Sequence, residues 1–194
     1  MIDVARRLSS GAELRVGAIE HLPWSDERFD VVTGFNAFQF TADIVAALAQ
    51  AGRVARGGGQ VAVCDWDRRE GGGMLAVMGA LSGPPPTPPT RQPSPDPPAV
   101  GEPGVVEELC RRAGLDPLRA GEVEVSFEAP DRQTLERALL TPGAVLPAIE
   151  QPGERAVREA IAEAAEPFRR PDGSYRFQNS FRYVISEVPA QAGG

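Results

Sequence analysis

The chain has 194 residues, with 20 basic side chains against 27 acidic ones and a formal charge of −7 at pH 7. That length suits one domain with its own core, and the acidic balance argues against a broad phosphate-binding surface, so nucleic acid is not an expected partner. Every basic residue is an arginine, which removes the P-loop lysine, the kinase lysine and Schiff-base chemistry together.

One histidine, His21, and two distant cysteines, Cys64 and Cys110, do not make a zinc pattern or a CxxC redox motif, and no metal is expected. Without a GxSxG elbow, a Ser-His-Asp hydrolase has nothing to stand on either. No apolar run reaches the roughly 18 residues of a membrane span, and Arg6 and Arg7 sit where a secretory leader would be apolar. The expectation is a cytoplasmic protein with no membrane partner and two ordinary buried thiols.

In chain order, Ile2 to Leu8 reads as a short helix ended by Gly11, and Glu13 to Val16 as a short strand. Asp30 to Phe35 is an apolar run bounded by polar residues, the pattern of a strand buried on both faces. Ile44, Ala47, Leu48, Ala51 and Val54 recur at helical spacing, with Thr41 or Asp43 as cap and Gly57 to Gly59 as the end. A second strand follows at Gln60 to Cys64. Strand, helix and strand imply a right-handed parallel crossover, which places the site at the strands' carboxyl ends, near Gly34 to Phe40 and Cys64 to Asp67.

Pro84 to Pro98 holds nine of the 19 prolines and predicts an irregular, mobile loop. Pro103 to Ala113 predicts a helix with Val106, Leu109 and Cys110 on its apolar stripe and Gly114 as its cap. Gly121 to Glu128 alternates as an edge strand, Asp131 to Leu140 and Glu154 to Phe168 read as helices, and Tyr175 to Ser186 alternates as a last strand antiparallel to the one at Gln60. Residues 131–168 form a helical insertion toward the substrate side of a single domain spanning 1–194.

The string Arg15-Val16-Gly17-Ala18-Ile19-Glu20-His21-Leu22-Pro23-Trp24, then Phe29-Asp30-Val31-Val32, resembles the second half of the class I S-adenosylmethionine-dependent methyltransferase fold. Phe35-Asn36-Ala37-Phe38-Gln39-Phe40 resembles that family's segment after the fourth strand, and Gly52-Arg53-Val54-Ala55-Arg56-Gly57-Gly58-Gly59 its arginine-glycine turn into the fifth. The resemblance implies an α/β fold: a partial Rossmann-like sheet with helices on both faces and an antiparallel C-terminal strand. It also implies S-adenosyl-L-methionine as cofactor, a small-molecule methyl acceptor, and cofactor contacts from Ala18, Ile19, Phe35, Asn36 and Gln39. Ala18 stands where the family commonly has an acidic acceptor for the adenine, so a backbone contact from Ile19 and apolar contact with the ring are what is inherited. No catalytic residue is assigned.

The resemblance begins after the family's first two strands and its Gly-rich cofactor loop, which predicts a hydrophobic sheet edge along Val31 to Phe35, open to a second copy or a partner chain. Two readings follow: a methyltransferase, or a non-catalytic remnant or partner-binding module that keeps half the fold. Among single residues, His21 reads as a surface group, Trp66 as pocket wall or packing, Gly71 to Gly73 as a hinge, and Arg68, Arg69, Arg169 and Arg170 as solvated charges.

Overall fold

The computed structural model describes residues 2–9, 11–66, 73–81, 102–140 and 153–190. The proline-rich stretch 84–98, Asp67 to Gly72 and the middle of the expected insertion at 141–152 lie outside the described residues. The rest falls into two compact units, one drawn from 1–65, 100–121 and 182–194, the other from 66–99 and 122–181.

The elements are α1 (Ile2–Leu8), β1 (Phe29–Phe35), α2 (Ile44–Val54), β2 (Ala55–Trp66), α3 (Gly73–Leu81), α4 (Val105–Arg112), β3 (Asp116–Ala129), α5 (Arg132–Leu139), α6 (Glu154–Ala165) and β4 (Tyr175–Glu187). Four strands make a sheet in the order β1-β2-β4-β3. β1 and β2 are parallel, in register from Val31 opposite Gln60 to Phe35 opposite Cys64. The chain end after β4 exchanges backbone bonds with β2, Gly58 N–H to Val188 O at 2.8 Å and Val188 N–H to Gly59 O at 2.9 Å, while Trp66 stacks on Phe181. Rising numbers on β2 thus meet falling numbers on β4, the antiparallel sense expected. The same holds on the other side, where Arg119 lies over Tyr183 and Ser126 bonds Gln178.

In the first unit α2 is capped by Asp43, whose carboxylate accepts from Ala46 N–H at 3.0 Å. Its apolar face, Ala47, Leu48 and Ala51, packs with Val61 and Val63 of β2 and with Val106, Leu109 and Cys110 of α4. In the second unit Phe177 of β4 is fully buried among Leu135, Val157 and Ile161. Asn179 fastens α3 there by accepting from Met74 N–H at 3.2 Å. Glu136 of α5 is gripped by Arg132 at 2.5 Å and by Arg158 of α6 at 2.8 Å.

Three sequence expectations change. Glu13 to Val16 is not a strand, because the segment is held by side chains rather than by a ladder: Glu13 pairs with Arg15 and with Arg28, Arg15 donates to the Pro23 carbonyl, and its guanidinium lies over the Trp24 ring. β1 is buried on neither face throughout, since it is the edge of the described sheet and leaves Val31 53% and Phe35 66% exposed. The glycines at 57–59 do not end α2. The helix stops at Val54 and β2 starts at once, with the glycines inside the strand as a bulge: the step from Phe29 to Val31 on β1 spans Ala55 to Gln60 on β2. Gly58 has φ +74°, and a Cβ on Gly59 would meet the carbonyl oxygens of Arg56 and Asp30 at 2.8 and 2.9 Å.

Candidate functional site at the carboxyl ends of β1 and β2

Parallel strands with a helical crossover leave a crevice beyond their carboxyl ends, and here those ends are Phe35 and Trp66. β1 stops because Asn36 turns into the left-handed region at φ +50°, while its N–H still reaches Cys64 O at 2.8 Å and holds it in register. A 3-10 turn, Phe38–Phe40, follows and carries Gln39, half-buried. Phe38 is buried over Gly34 so closely that a Cβ there would lie 2.2 Å from the ring, which explains a glycine at this strand position.

The turn that bears Ala18 and Ile19 is closed by His21 N–H donating to Ala18 O at 3.0 Å. Glu20 ties it to the segment before α2 by accepting from Ala42 N–H at 2.9 Å, and the bonds from its own amide and from that of Ala42 hold its carboxyl below the usual range. Ile19 is half-buried against the first unit's core, whereas Ala18 and His21 face solvent. Behind the turn Arg53 of α2 donates to Leu22 O and Trp24 O, both at 2.9 Å, and to Asp26 at 2.6 Å. The arginine of the arginine-glycine turn is therefore a clamp on the loop 22–26.

All five residues expected at the cofactor, Ala18, Ile19, Phe35, Asn36 and Gln39, belong to the first unit, on the turn 18–21 and on the segment that follows β1. The environments differ: Phe35 presents an exposed ring, and Asn36 buries an Oδ1 that has no hydrogen-bond partner. An open aromatic face beside a pinned turn is a surface on which a flat heterocycle can pack. Ala18 offers that ligand no acceptor. Trp66 packs on Phe181 at 4.4 Å between ring centroids, and His21 is exposed, the surface group expected. Arg169 and Arg170 pair with Glu166 and Glu128 at exposed positions, as solvated charges do.

Sequence reasoning placed the site beside Asp65 without giving that residue a part. It is 1% exposed, neither carboxylate oxygen has a hydrogen-bond partner, and burial pushes its pKa up to about 6. The signal was present in the parity of β2: Val61 and Val63 point into the core, and Asp65 is the next residue of that row. A cleft of about 530 Å³ elsewhere in the first unit, lined by Asp26, Arg53, Gly57, Leu115 and Pro189 among others, holds none of the expected site residues.

Residues 1–63 match the family model described as a methyltransferase domain, about a third of the chain. No curated protein matches in sequence. Among solved structures, a candidate methyltransferase from Bacillus halodurans aligns over 90% of this chain and 76% of its own, with TM-score 0.51 and 13% identity. The cyclase SpnF aligns over 97% of this chain and 61% of its own, with TM-score 0.51 and 16% identity. A SAM-dependent methyltransferase from Thermotoga maritima aligns over 97% and 69%, with TM-score 0.50 and 15% identity. At such identities these likenesses speak for the fold, and the family-model match speaks for residues 1–63. Residues 1–63 are thus similar to a methyltransferase domain, and the chain has the Rossmann-like α/β fold of the methyltransferases it aligns with.

Proposed function

We propose that this chain, acting as one methyltransferase-like domain, binds S-adenosyl-L-methionine and transfers its methyl group to a small-molecule acceptor. The observation that carries the reading is the pairing of the turn 18–21 with the segment after β1, joined through Glu20 and Ala42 at the carboxyl end of the parallel strands. Ile19 would meet the adenine through its backbone, Ala18 and Phe35 through apolar contact, Gln39 through its side-chain amide, and Asn36 through its Nδ2 amide hydrogens, which leaves its Oδ1 open. The cofactor supplies a sulfonium-activated methyl group. The chain's part is to bind, orient and exclude water, which needs no dedicated acid or base and agrees with a sequence so poor in His, Cys and Lys.

A second reading, a non-catalytic module that docks on another chain, rests on the open apolar edge of β1 at Val31 and Phe35. Titration calorimetry with S-adenosylhomocysteine separates the two. A methyltransferase binds it, and Ala18→Asp, by restoring an acceptor for the adenine amino group, tightens binding by about 1 kcal/mol. Absence of binding in both chains defeats the first reading. Equal affinity in both defeats the placing of adenine at Ala18.

A further inference from the structure

At the carboxyl ends of β1 and β2, buried Asp65 and half-buried Asn36 end in buried oxygens without partners. Asp65 contributes both carboxylate oxygens and Asn36 its Oδ1. They are neighbours in register: Phe35 stands opposite Cys64, the Asn36 amide bonds Cys64 O, and so Asn36 lies one position on, beside Asp65. Adjacent strands are about 4.8 Å apart, which brings both residues within reach of one small group. All three atoms are acceptors when Asp65 is ionised. Buried acceptors that lack donors are uncommon in folded proteins, and each is costly to leave unmet. In the same unit Glu107 Oε2 and Ser186 Oγ are also buried without a hydrogen-bond partner, but they stand apart from these two strand ends, whereas Asp65 and Asn36 bring three such oxygens to one place.

We infer that Asp65 and Asn36 form the receptor for a primary ammonium group on the methyl acceptor, whose three N–H donors match these three oxygens in number and charge. The inference rests on the methyltransferase reading for the word acceptor, and on the chain's own residues for the ammonium. Asp65 is a positioning residue in this role, since it holds the acceptor rather than the reacting methyl group. The Cys64 thiol beside it is raised by burial and by the Asp65 charge, so it stays protonated and does not compete for the cation.

The test uses the full chain with carboxyl-labelled aspartate, the Asp65 signal being assigned from its loss in Asp65→Asn. Carbon-detected NMR follows the titration of that carboxyl with methylammonium chloride and, at equal ionic strength, with tetramethylammonium chloride, which has the charge but no N–H. Methylammonium is expected to lower the midpoint by about one pH unit and tetramethylammonium to leave it in place. Asn36→Ala should shrink the displacement severalfold while the free-chain midpoint stays near its value, which a change in fold would not do. Equal displacement by the two salts, or none, overturns the inference.

Calorimetry with S-adenosylhomocysteine on the same sample keeps the two proposals apart. Binding without any methylammonium response leaves the methyltransferase reading standing and defeats the ammonium receptor. A midpoint displaced by S-adenosylhomocysteine itself assigns the oxygens to the ammonium of that ligand, and likewise defeats it. A methylammonium response in a chain that does not bind S-adenosylhomocysteine overturns the assignment to a methyl acceptor.

Discussion

Asp65 sets how stability responds to pH. Its carboxyl is raised from 3.8 to about 6 by burial, so the folded chain holds this proton more tightly than the unfolded one. Stability from the protonated group is complete below the unfolded value and is lost as pH rises through about 6. The gap is worth about 3 kcal/mol. Asp65→Asn cannot ionise, so its stability relative to wild type should improve by about that amount between pH 4 and pH 7, read from urea unfolding at each pH. A constant difference across the range would mean that Asp65 is ionised throughout. Glu136 shows the opposite sign. Burial alone would raise its carboxyl, but the hydrogen bonds and charges of Arg132 and Arg158 outweigh that and hold it below the usual range. Its contribution is present at neutral pH and fades as pH falls below the carboxylate range. Because both arginines are more than a third exposed, Glu136→Gln should cost only about 1 to 3 kcal/mol at pH 7, with little effect in acid. Comparing urea midpoints at the two pH values checks it.

At the scale of elements, the end of β1 governs the proposed site. Gly34→Ala would drive a Cβ into the Phe38 ring, and the 3-10 turn that carries Gln39 would have to move. Overpacking of this kind costs about 1 to 3 kcal/mol. The expected outcome is a lower melting temperature together with weaker S-adenosylhomocysteine binding; a chain that loses stability but keeps its affinity would separate the turn from the cofactor. Much at this scale was legible beforehand. The stripe from Ile44 to Val54 and the cap at Asp43 are local facts, and α2 follows from them. The glycine bulge was not, because 57–59 read as a helix end, and only the partner strand shows a bulge instead. Glu13 to Val16 read as a short strand, although nothing in four residues says whether a neighbour exists to pair with them. Asp65 was missed for a related reason: its burial depends on the register of β2 against the core, which two valines hint at and composition does not.

For the whole molecule, the edge of β1 is the exposed liability of the described sheet. Val31 and Phe35 face outward beside unpaired backbone groups, the surface that invites a second strand. Sedimentation should show association that grows with protein concentration, and Val31→Lys should reduce it without lowering the melting temperature. A wild-type chain that stays monomeric at every concentration would remove the edge as a docking surface. The two tryptophans divide the molecule, Trp24 in the first unit and Trp66 in the second, so single Trp→Phe variants report the unfolding of each unit by fluorescence. β3 and β4 each run from one unit into the other, which predicts that both reporters lose structure at one urea concentration.

The strand order carries a temporal consequence. β4 lies between β2 and β3 in the sheet, yet it is the last of the described strands to be made. A ribosome that has finished β2 must add roughly a hundred residues before the neighbour of β2 exists, an interval on the order of ten seconds at ordinary elongation rates. Throughout that interval β2 can pair with β1 only, and its other flank, with Val61 and Val63 on the adjoining face, is bare. Late pairing between distant segments is slow even once the chain is complete. The nascent protein should therefore benefit from holdase chaperones at the stage between β2 and β4, and its yield in cells should depend on translation speed across that span more than on the stability of the finished fold.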